Sequence, residues 1–241
     1  MSKPSLQDPT KICVALDFSD ETKVLTFVDS LSDKNLVLKV GLELFTLSGP
    51  ELVRKMVKKG FEVFLDLKLH DIPNTVEKSA QKIADLGVQY FTLHLAGGER
   101  MIEMTRNGLE KYGANKPKIL GVSVLTSFSE GSWRDTVGAV SMGAKSVSSS
   151  VLGLVDLGVR AKVDGVVCSP LELTLIRQSH PSLLTVTPGI RPTGSDANDQ
   201  SRVMTPGEAK RAGANILVIG RPITEVKDPN VVIQNIRAEL K

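Results

Sequence analysis

Short apolar segments recur along the chain, and their spacing is typical of an alternation of strands and helices. Eight such segments are rich in Val, Ile and Leu. Their near-continuous hydrophobicity favours strands that are buried on both faces of a parallel sheet, although short apolar runs also occur in buried helices. The predicted strands cover residues 12–17, 36–41, 62–66, 90–95, 119–125, 165–168, 183–187 and 215–219.

The segments between the strands carry helix start and stop signals. Pro50 opens a helix predicted over residues 51–59. Ser169 and Thr205 are each followed by Pro at the next position and by Glu two residues after that proline, which predicts a capping box at both places. Three predicted helices end at a glycine that leads into the next strand: Gly60, Gly87 and Gly213.

Eight strand–helix units in one chain of this length favour an α/β fold of the (β/α)8 TIM-barrel type, with residues 1–241 as a single domain. An open, doubly wound sheet is the alternative. The first strand is not followed by G-x-G-x-x-G, which weakens the dinucleotide-binding version of that alternative. The longer step between strands five and six predicts an extra helix or lid segment near residues 126–144.

Composition narrows the class of protein. A charged fraction of 24% and a formal net charge of +3 exclude an acidic disordered chain and are too mild to indicate a nucleic-acid partner. The first ten residues lack the apolar stretch of a secretory signal, and no apolar run is long enough to span a membrane. We therefore expect a cytoplasmic protein. Cys13 and Cys168 lie within apolar strands and are expected to be buried thiols.

Charged residues follow many of the predicted strands. In a (β/α)8 barrel the chemistry lies at the carboxyl ends of the strands, so side chains at these positions converge on one rim. A single charge there would usually be a solvated loop residue, whereas several together favour a polar site. The residues concerned are Asp17, Lys39, Asp66, Lys68, Asp71, Arg191 and Arg221.

The third strand carries the sharpest pattern. Because strand side chains alternate, Asp66 and Lys68 should share a face, and Asp71 follows on the loop. Carboxylates close to a lysine keep its amine protonated and fix the direction of its side chain. A structural ion pair is the alternative, but burying such a group is costly unless it is fully paired, which favours a functional role.

The ends of strands seven and eight suggest an anion site. Gly189 and Gly220 allow backbone N–H groups to approach a ligand closely. Arg221 precedes a predicted helix, and the loops after strands seven and eight often bind phosphate in this fold. Arg191 is either a second guanidinium for the same anion or a surface residue, and Gly220 alone could simply mark a tight turn.

At these positions the chain resembles the orotidine 5′-phosphate decarboxylase family, from the segment at residues 14–17 to that at 220–223. The most specific element is the FLDLKLHDIPNTV sequence at residues 64–76. The shorter D-x-K-x-x-D pattern inside it also fits sugar-phosphate decarboxylases and aldolases, but the Ile-Pro-Asn-Thr continuation favours the orotidylate branch. Further matching segments lie at residues 39–41, 124–127, 188–191 and 199–200.

The resemblance implies a (β/α)8 barrel homodimer that needs no metal or organic cofactor and converts orotidine 5′-phosphate to UMP. It implies a catalytic array of Lys39, Asp66, Lys68 and Asp71, in which Asp71 comes from the partner subunit and Thr75 also reaches across. It further implies a nucleotide site in which Asp17 and Lys39 hold ribose hydroxyls, Thr126 borders the nucleotide, and Arg191, Gln200, Gly220 and Arg221 line the phosphate end.

The sequence leaves two alternative functions open. A ketose- or hexulose-phosphate lyase of the same superfamily would need Mg²⁺, and its activity would disappear with a chelator. A catalytically silent barrel that senses UMP is the second alternative, but a binding protein has no need of a lysine set between acids.

Overall fold

The computed structural model describes residues 9–138, 146–193 and 203–241. Eight parallel strands close into a barrel in the order β1 to β8, with β8 paired back to β1. This confirms the predicted TIM barrel. The strands are β1 Lys11–Ala15, β2 Val37–Gly41, β3 Glu62–Leu69, β4 Tyr90–His94, β5 Lys118–Val122, β6 Gly165–Val167, β7 Leu184–Thr187 and β8 Ile216–Ile219.

Helices cover the outside of the barrel. They are α1 Glu21–Ser30, α2 Leu42–Lys58, α3 Pro73–Ala84, α4 Gly98–Leu109, α5 Glu130–Gly138, α6 Val147–Arg160, α7 Leu173–Ser179, α8 Pro206–Arg211, α9 Arg221–Thr224 and α10 Pro229–Glu239. The extra helix predicted between strands five and six is α5. Among the described residues, no helix is long and apolar enough to cross a lipid bilayer.

The predicted helix boundaries follow local rules and are mostly confirmed. The backbone N–H of Glu208 donates to Thr205 Oγ1 over 3.3 Å, and the Thr205 N–H donates to the Glu208 carboxylate over 2.9 Å, which closes the capping box. Gly60 has φ +84°, the left-handed conformation that ends helices at low cost in glycine. The helix predicted to open at Pro50 is the second part of α2, because Gly49 has a non-helical backbone that separates it from a first part beginning at Leu42.

Two apolar layers form the core. One lies between the strands and the surrounding helices, and the other fills the barrel interior with side chains such as Phe64, Leu120 and Val186. Cys13 and Cys168 are free, buried thiols, as predicted. The filled interior closes the barrel below its carboxyl end, so the polar side chains that follow the strands face a shallow, open mouth.

Candidate active site

A cavity of about 490 Å³ opens at the carboxyl end of the barrel. Most of the predicted site residues line it: Asp17, Lys39, Asp66, Lys68, Thr126, Arg191, Gly220 and Arg221. Its apolar wall consists of residues such as Phe64, Val122, Val124, Val167 and Val218. A larger cleft of about 960 Å³ lies at the other end of the barrel, around the starts of β5 and β7, and none of the predicted site residues lines it.

Four charged side chains form a continuous chain in the cavity. Lys39 Nζ lies 3.1 Å from Asp17 Oδ1 and 3.9 Å from Asp66 Oδ2. Lys68 Nζ donates to the same Asp66 oxygen over 2.9 Å. Asp66 therefore sits between two ammonium groups, with its side chain only 13% exposed. The predicted association of Asp66 with Lys68 is thus present within one chain.

Lys39 is held in its charged form by its neighbours. Burial alone would lower the pKa of this amine, but the charges of Asp17 and Asp66 and the hydrogen bond to Asp17 outweigh burial, so the pKa is raised above its ordinary value. Charge is thus retained on a side chain that is only 12% exposed. Positive charge held in a partly dry pocket can stabilise negative charge that develops on a bound molecule.

The third strand departs from the regular alternation that the sequence suggested. The prediction that it ends at Asp66 is wrong, because β3 continues to Leu69. Its pairing with β4 shifts register between Leu65 and Leu69, so the strand bulges there. Within the bulge Lys68 has φ +52°, a left-handed conformation that is unfavourable for a residue with a side chain. Strained backbone of this kind is concentrated at functional sites.

Thr92 supports this bulge, and no sequence pattern had marked it as a site residue. Its hydroxyl donates to Asp66 Oδ1 over 2.9 Å and accepts the backbone N–H of Lys68 over 2.8 Å. Thr92 is fully buried in β4. A threonine inside an apolar strand is an ordinary strand former, so only the three-dimensional arrangement marks it.

The predicted anion site is assembled from the ends of β7 and β8. Arg191 is 8% exposed, its Nη1 donates to the Ile190 carbonyl over 3.1 Å, and its buried Nε has no hydrogen-bond partner among the described residues. Burial and the nearby charge of Arg221 both lower the pKa of the Arg191 guanidinium. Arg191 is thus a buried cation beside a second cation, and a bound anion would relieve both penalties.

Two glycines near this arginine pair were predicted to let the backbone approach an anion. The conformation of Gly189 fits that prediction, whereas that of Gly220 does not decide it. Gly189 has φ +79°, a conformation that strongly favours glycine. Gly220 follows β8 and lines the cavity, and a Cβ built on it would lie 3.8 Å from Asp17 Oδ2, an ordinary contact. The helix α9 that follows Gly220 has only four residues, so the arginine side chains contribute more positive charge here than its short dipole.

Asp71 and Thr75 lie outside the cavity of their own chain. Both are exposed, and Asp71 Oδ1 accepts the backbone N–H of Ile72 over 2.6 Å. Ile72 between them is 67% exposed. The expectation that Asp71 lies close to Lys68 is therefore not met within one chain, as far as the described residues show, because the chain turns outward into α3 after β3.

The remaining predicted site residues, and some cavity residues that were not predicted, have the following positions. Thr126 is exposed at the rim of the cavity. Gln200 lies outside the described residues. The cavity residues that the sequence analysis missed as site residues include Glu225, and Cys168, whose thiol pKa burial raises to about 12. Neither stands in a sequence pattern that would have distinguished it from a surface acid or a core thiol.

Comparison with known proteins agrees with this geometry. The family model described as orotidine 5′-phosphate decarboxylase / HUMPS family matches residues 10–236. Orotidine 5′-phosphate decarboxylase of Vibrio cholerae is 46% identical over 236 residues, which is 98% of this chain and 100% of that protein. The protein of the same name from Actinobacillus succinogenes is 46% identical over 233 residues, 96% of this chain and 98% of that protein.

Solved structures give the same result. The crystal structure of orotidine 5′-phosphate decarboxylase from Lactobacillus acidophilus superposes with a TM-score of 0.84 at 36% sequence identity, covering 97% of this chain and 100% of that one. The family match at residues 10–236 includes all eight strands. The chain therefore belongs to the orotidine 5′-phosphate decarboxylase / HUMPS family.

Proposed function

We propose that this chain converts orotidine 5′-phosphate to UMP and CO2, a step of pyrimidine nucleotide synthesis, in the cavity at the carboxyl end of the barrel. The chain Asp17–Lys39–Asp66–Lys68 is the observation that carries this proposal. It places an ammonium group, fixed by acids, in the same cavity as two guanidinium groups. Whole-length relatives that bear the decarboxylase name support the assignment.

The chemistry explains why a fixed ammonium group is needed. When CO2 leaves C6 of the pyrimidine, the C–C bonding electrons remain on C6 in the plane of the ring, where no π system can delocalise them. Lys68 as an ammonium ion would stabilise this developing carbanion and then donate a proton to C6, and solvent would afterwards return a proton to Lys68. Preorganised charge in a water-poor site is the largest source of catalysis available for such a step.

Asp66 would serve the reaction in two ways. It accepts from Lys68 and so orients the ammonium group. It would also lie near the carboxylate that departs, and two like charges about 4 Å apart repel by about 4 kcal/mol at an effective dielectric constant of about 20. This repulsion ends when CO2 leaves. We assign it a secondary role beside the stabilisation by Lys68.

The rest of the nucleotide would bind across the mouth. Asp17 and Lys39 would hold the ribose hydroxyls, and Thr126 would border the base. The phosphate would bind to Arg191, Gly220 and Arg221. The strands β3 and β7 are four places apart in the eight-stranded barrel, so the chemical and phosphate ends face each other. Binding energy from the phosphate can then be used to hold the base against Lys68.

We also propose that the chain acts as a homodimer in which Asp71 and Thr75 enter the partner's cavity. Both side chains are exposed here beside Ile72. Leu42, which follows the adjacent strand β2, is 64% exposed as well. Exposed apolar residues beside polar ones are typical of an interface. Mixing Lys68→Ala and Asp71→Ala chains should restore activity that neither variant has alone, and no restoration would contradict the shared site.

The direct test is the loss of orotidylate absorbance on mixing with purified protein, with and without EDTA. We expect one UMP and one CO2 for each orotidylate consumed, at a rate that EDTA leaves unchanged. Activity that disappears with the chelator would instead favour the Mg²⁺-dependent sugar-phosphate lyase. Absence of turnover, with UMP still bound, would favour a nucleotide-sensing barrel.

A further inference from the structure

Thr92 is the one β4 residue opposite the bulge of β3. The strands pair at Leu65 with Phe91 and again at Leu69 with Leu93, so three residues of β3 stand opposite the single residue Thr92. A bulge interrupts the ladder of backbone hydrogen bonds. The backbone N–H of Lys68 donates instead to the Thr92 hydroxyl, over 2.8 Å. The side chain of Thr92 thus replaces a missing backbone acceptor.

The direction of the hydrogen bonds is fixed. A backbone N–H can only donate, so Thr92 Oγ1 accepts from Lys68 and its single proton is left for Asp66 Oδ1, 2.9 Å away. Asp66 then receives the hydroxyl on one oxygen and the Lys68 ammonium on the other. The three residues form a closed ring of hydrogen bonds that runs from the Lys68 backbone through Thr92 and Asp66 to the Lys68 side chain.

We propose that Thr92 is a positioning residue for decarboxylation, and that its hydroxyl sets the orientation of both Asp66 and Lys68. Thr92 is fully buried and does not line the cavity, so it acts through these two residues and not on the substrate. The left-handed backbone of Lys68 needs such support, because its φ of +52° is intrinsically unfavourable. This inference rests on the proposed function.

Two substitutions separate the hydroxyl from the rest of the side chain. Thr92→Val keeps the shape and removes both hydrogen bonds, whereas Thr92→Ser keeps the hydroxyl and removes a buried methyl group. We expect Thr92→Val to lower kcat about 100-fold, because small misplacements of a catalytic group have effects of this size. The affinity for UMP, which lacks the departing carboxylate, should change by less than about threefold. Thr92→Ser should retain kcat within about threefold.

Thr105→Val is the matched control. Thr105 is also fully buried, but its hydroxyl donates to the Met101 carbonyl within α4 over 2.8 Å, away from the cavity. The same chemical change there should leave kcat unchanged. If Thr92→Val does not fold, Thr92→Ala and Thr92→Ser form the test pair, since both lose the methyl group and only serine keeps the hydroxyl.

The outcomes are distinct. Wild-type kcat in Thr92→Val, or equal losses of kcat in the valine and serine variants, would overturn the positioning role while the decarboxylase assignment stands. An equal loss in the alanine and serine variants would do the same. If the wild-type protein itself does not consume orotidylate, the proposed function fails, and the inference fails with it.

Discussion

Both ends of the barrel carry clusters of charged side chains, but the two clusters differ in how many of their hydrogen bonds the protein itself provides. At the amino end, Lys11 Nζ donates to both oxygens of Glu62 over 2.6 and 2.7 Å, and the Tyr90 hydroxyl donates to the same carboxylate over 3.2 Å. Arg177 on α7 spans the starts of β7 and β8, where its guanidinium donates to the Gly213 carbonyl, to Thr185 Oγ1 and to other oxygens. These charges are saturated by the fold.

At the carboxyl end, the described residues give Lys39, Lys68 and Arg191 fewer partners. Lys39 and Lys68 share one carboxylate oxygen of Asp66. Arg191 is buried beside Arg221 with its Nε unpaired among the residues that the structure describes. Charge at the strand ends is therefore not in itself the mark of a site. The mark is a buried charge whose hydrogen bonds are not all made within the part of the chain that the structure describes, since that deficit is costly unless a ligand fills it.

The largest expected effect comes from replacing one lysine at each end of the barrel and comparing the two values of kcat. Lys68→Ala should lower kcat by on the order of 10³-fold or more, because the group that stabilises and protonates the carbanion is lost. The matched Lys11→Ala should keep kcat within about twofold, since the Lys11 ammonium group contacts Glu62 and Tyr90 at the end of the barrel away from the cavity. Orotidylate absorbance measures both variants. A Lys68→Ala enzyme with near wild-type turnover would contradict the mechanism.

The next effect concerns stability at the amino end. Arg177→Met should lower the free energy of unfolding by about 3 kcal/mol, because several partly buried oxygens lose their donor at once. The folded variant should keep its kcat. Arg160→Met, which breaks an exposed pair with Glu99, should cost less than about 1 kcal/mol. Urea denaturation of the two variants provides the comparison, and equal losses would show that Arg177 is no more than a surface contact.

The smallest effect is a pH-dependent gain from Asp164, just before β6. Partial desolvation raises the pKa of this carboxyl above its ordinary value, although the residue is exposed and its Oδ2 accepts the backbone N–H of Ile119 over 2.8 Å. A carboxyl whose pKa is raised on folding destabilises the folded state fully above that pKa, and the effect is lost only below the lower pKa of the unfolded chain. Asp164→Asn should therefore stabilise at neutral pH, by about 1 kcal/mol or less, and this gain should vanish near pH 3. Denaturation at both pH values tests this, and a loss of stability at neutral pH would contradict it.

The sequence was sufficient for features that local rules govern. The eight strands, the extra helix α5 and the capping box at Thr205 all follow from hydrophobic runs, chain spacing and caps. The Asp66–Lys68 pair was also predicted, although the strand does not end or alternate as assumed. In contrast, Thr92 and the burial of Arg191 depend on contacts between strands far apart in sequence, which no local pattern encodes.

The central claim is that a bound nucleotide supplies the missing partners of the charged side chains at the carboxyl end. The most direct test compares the affinities of UMP and uridine by calorimetry. UMP should bind the wild-type protein at least about 100-fold more tightly than uridine, because only UMP has a phosphate that can pair with Arg191 and Arg221. Arg191→Met should remove most of that difference while uridine binding stays the same. Equal affinities of the wild-type protein for UMP and uridine would contradict the account.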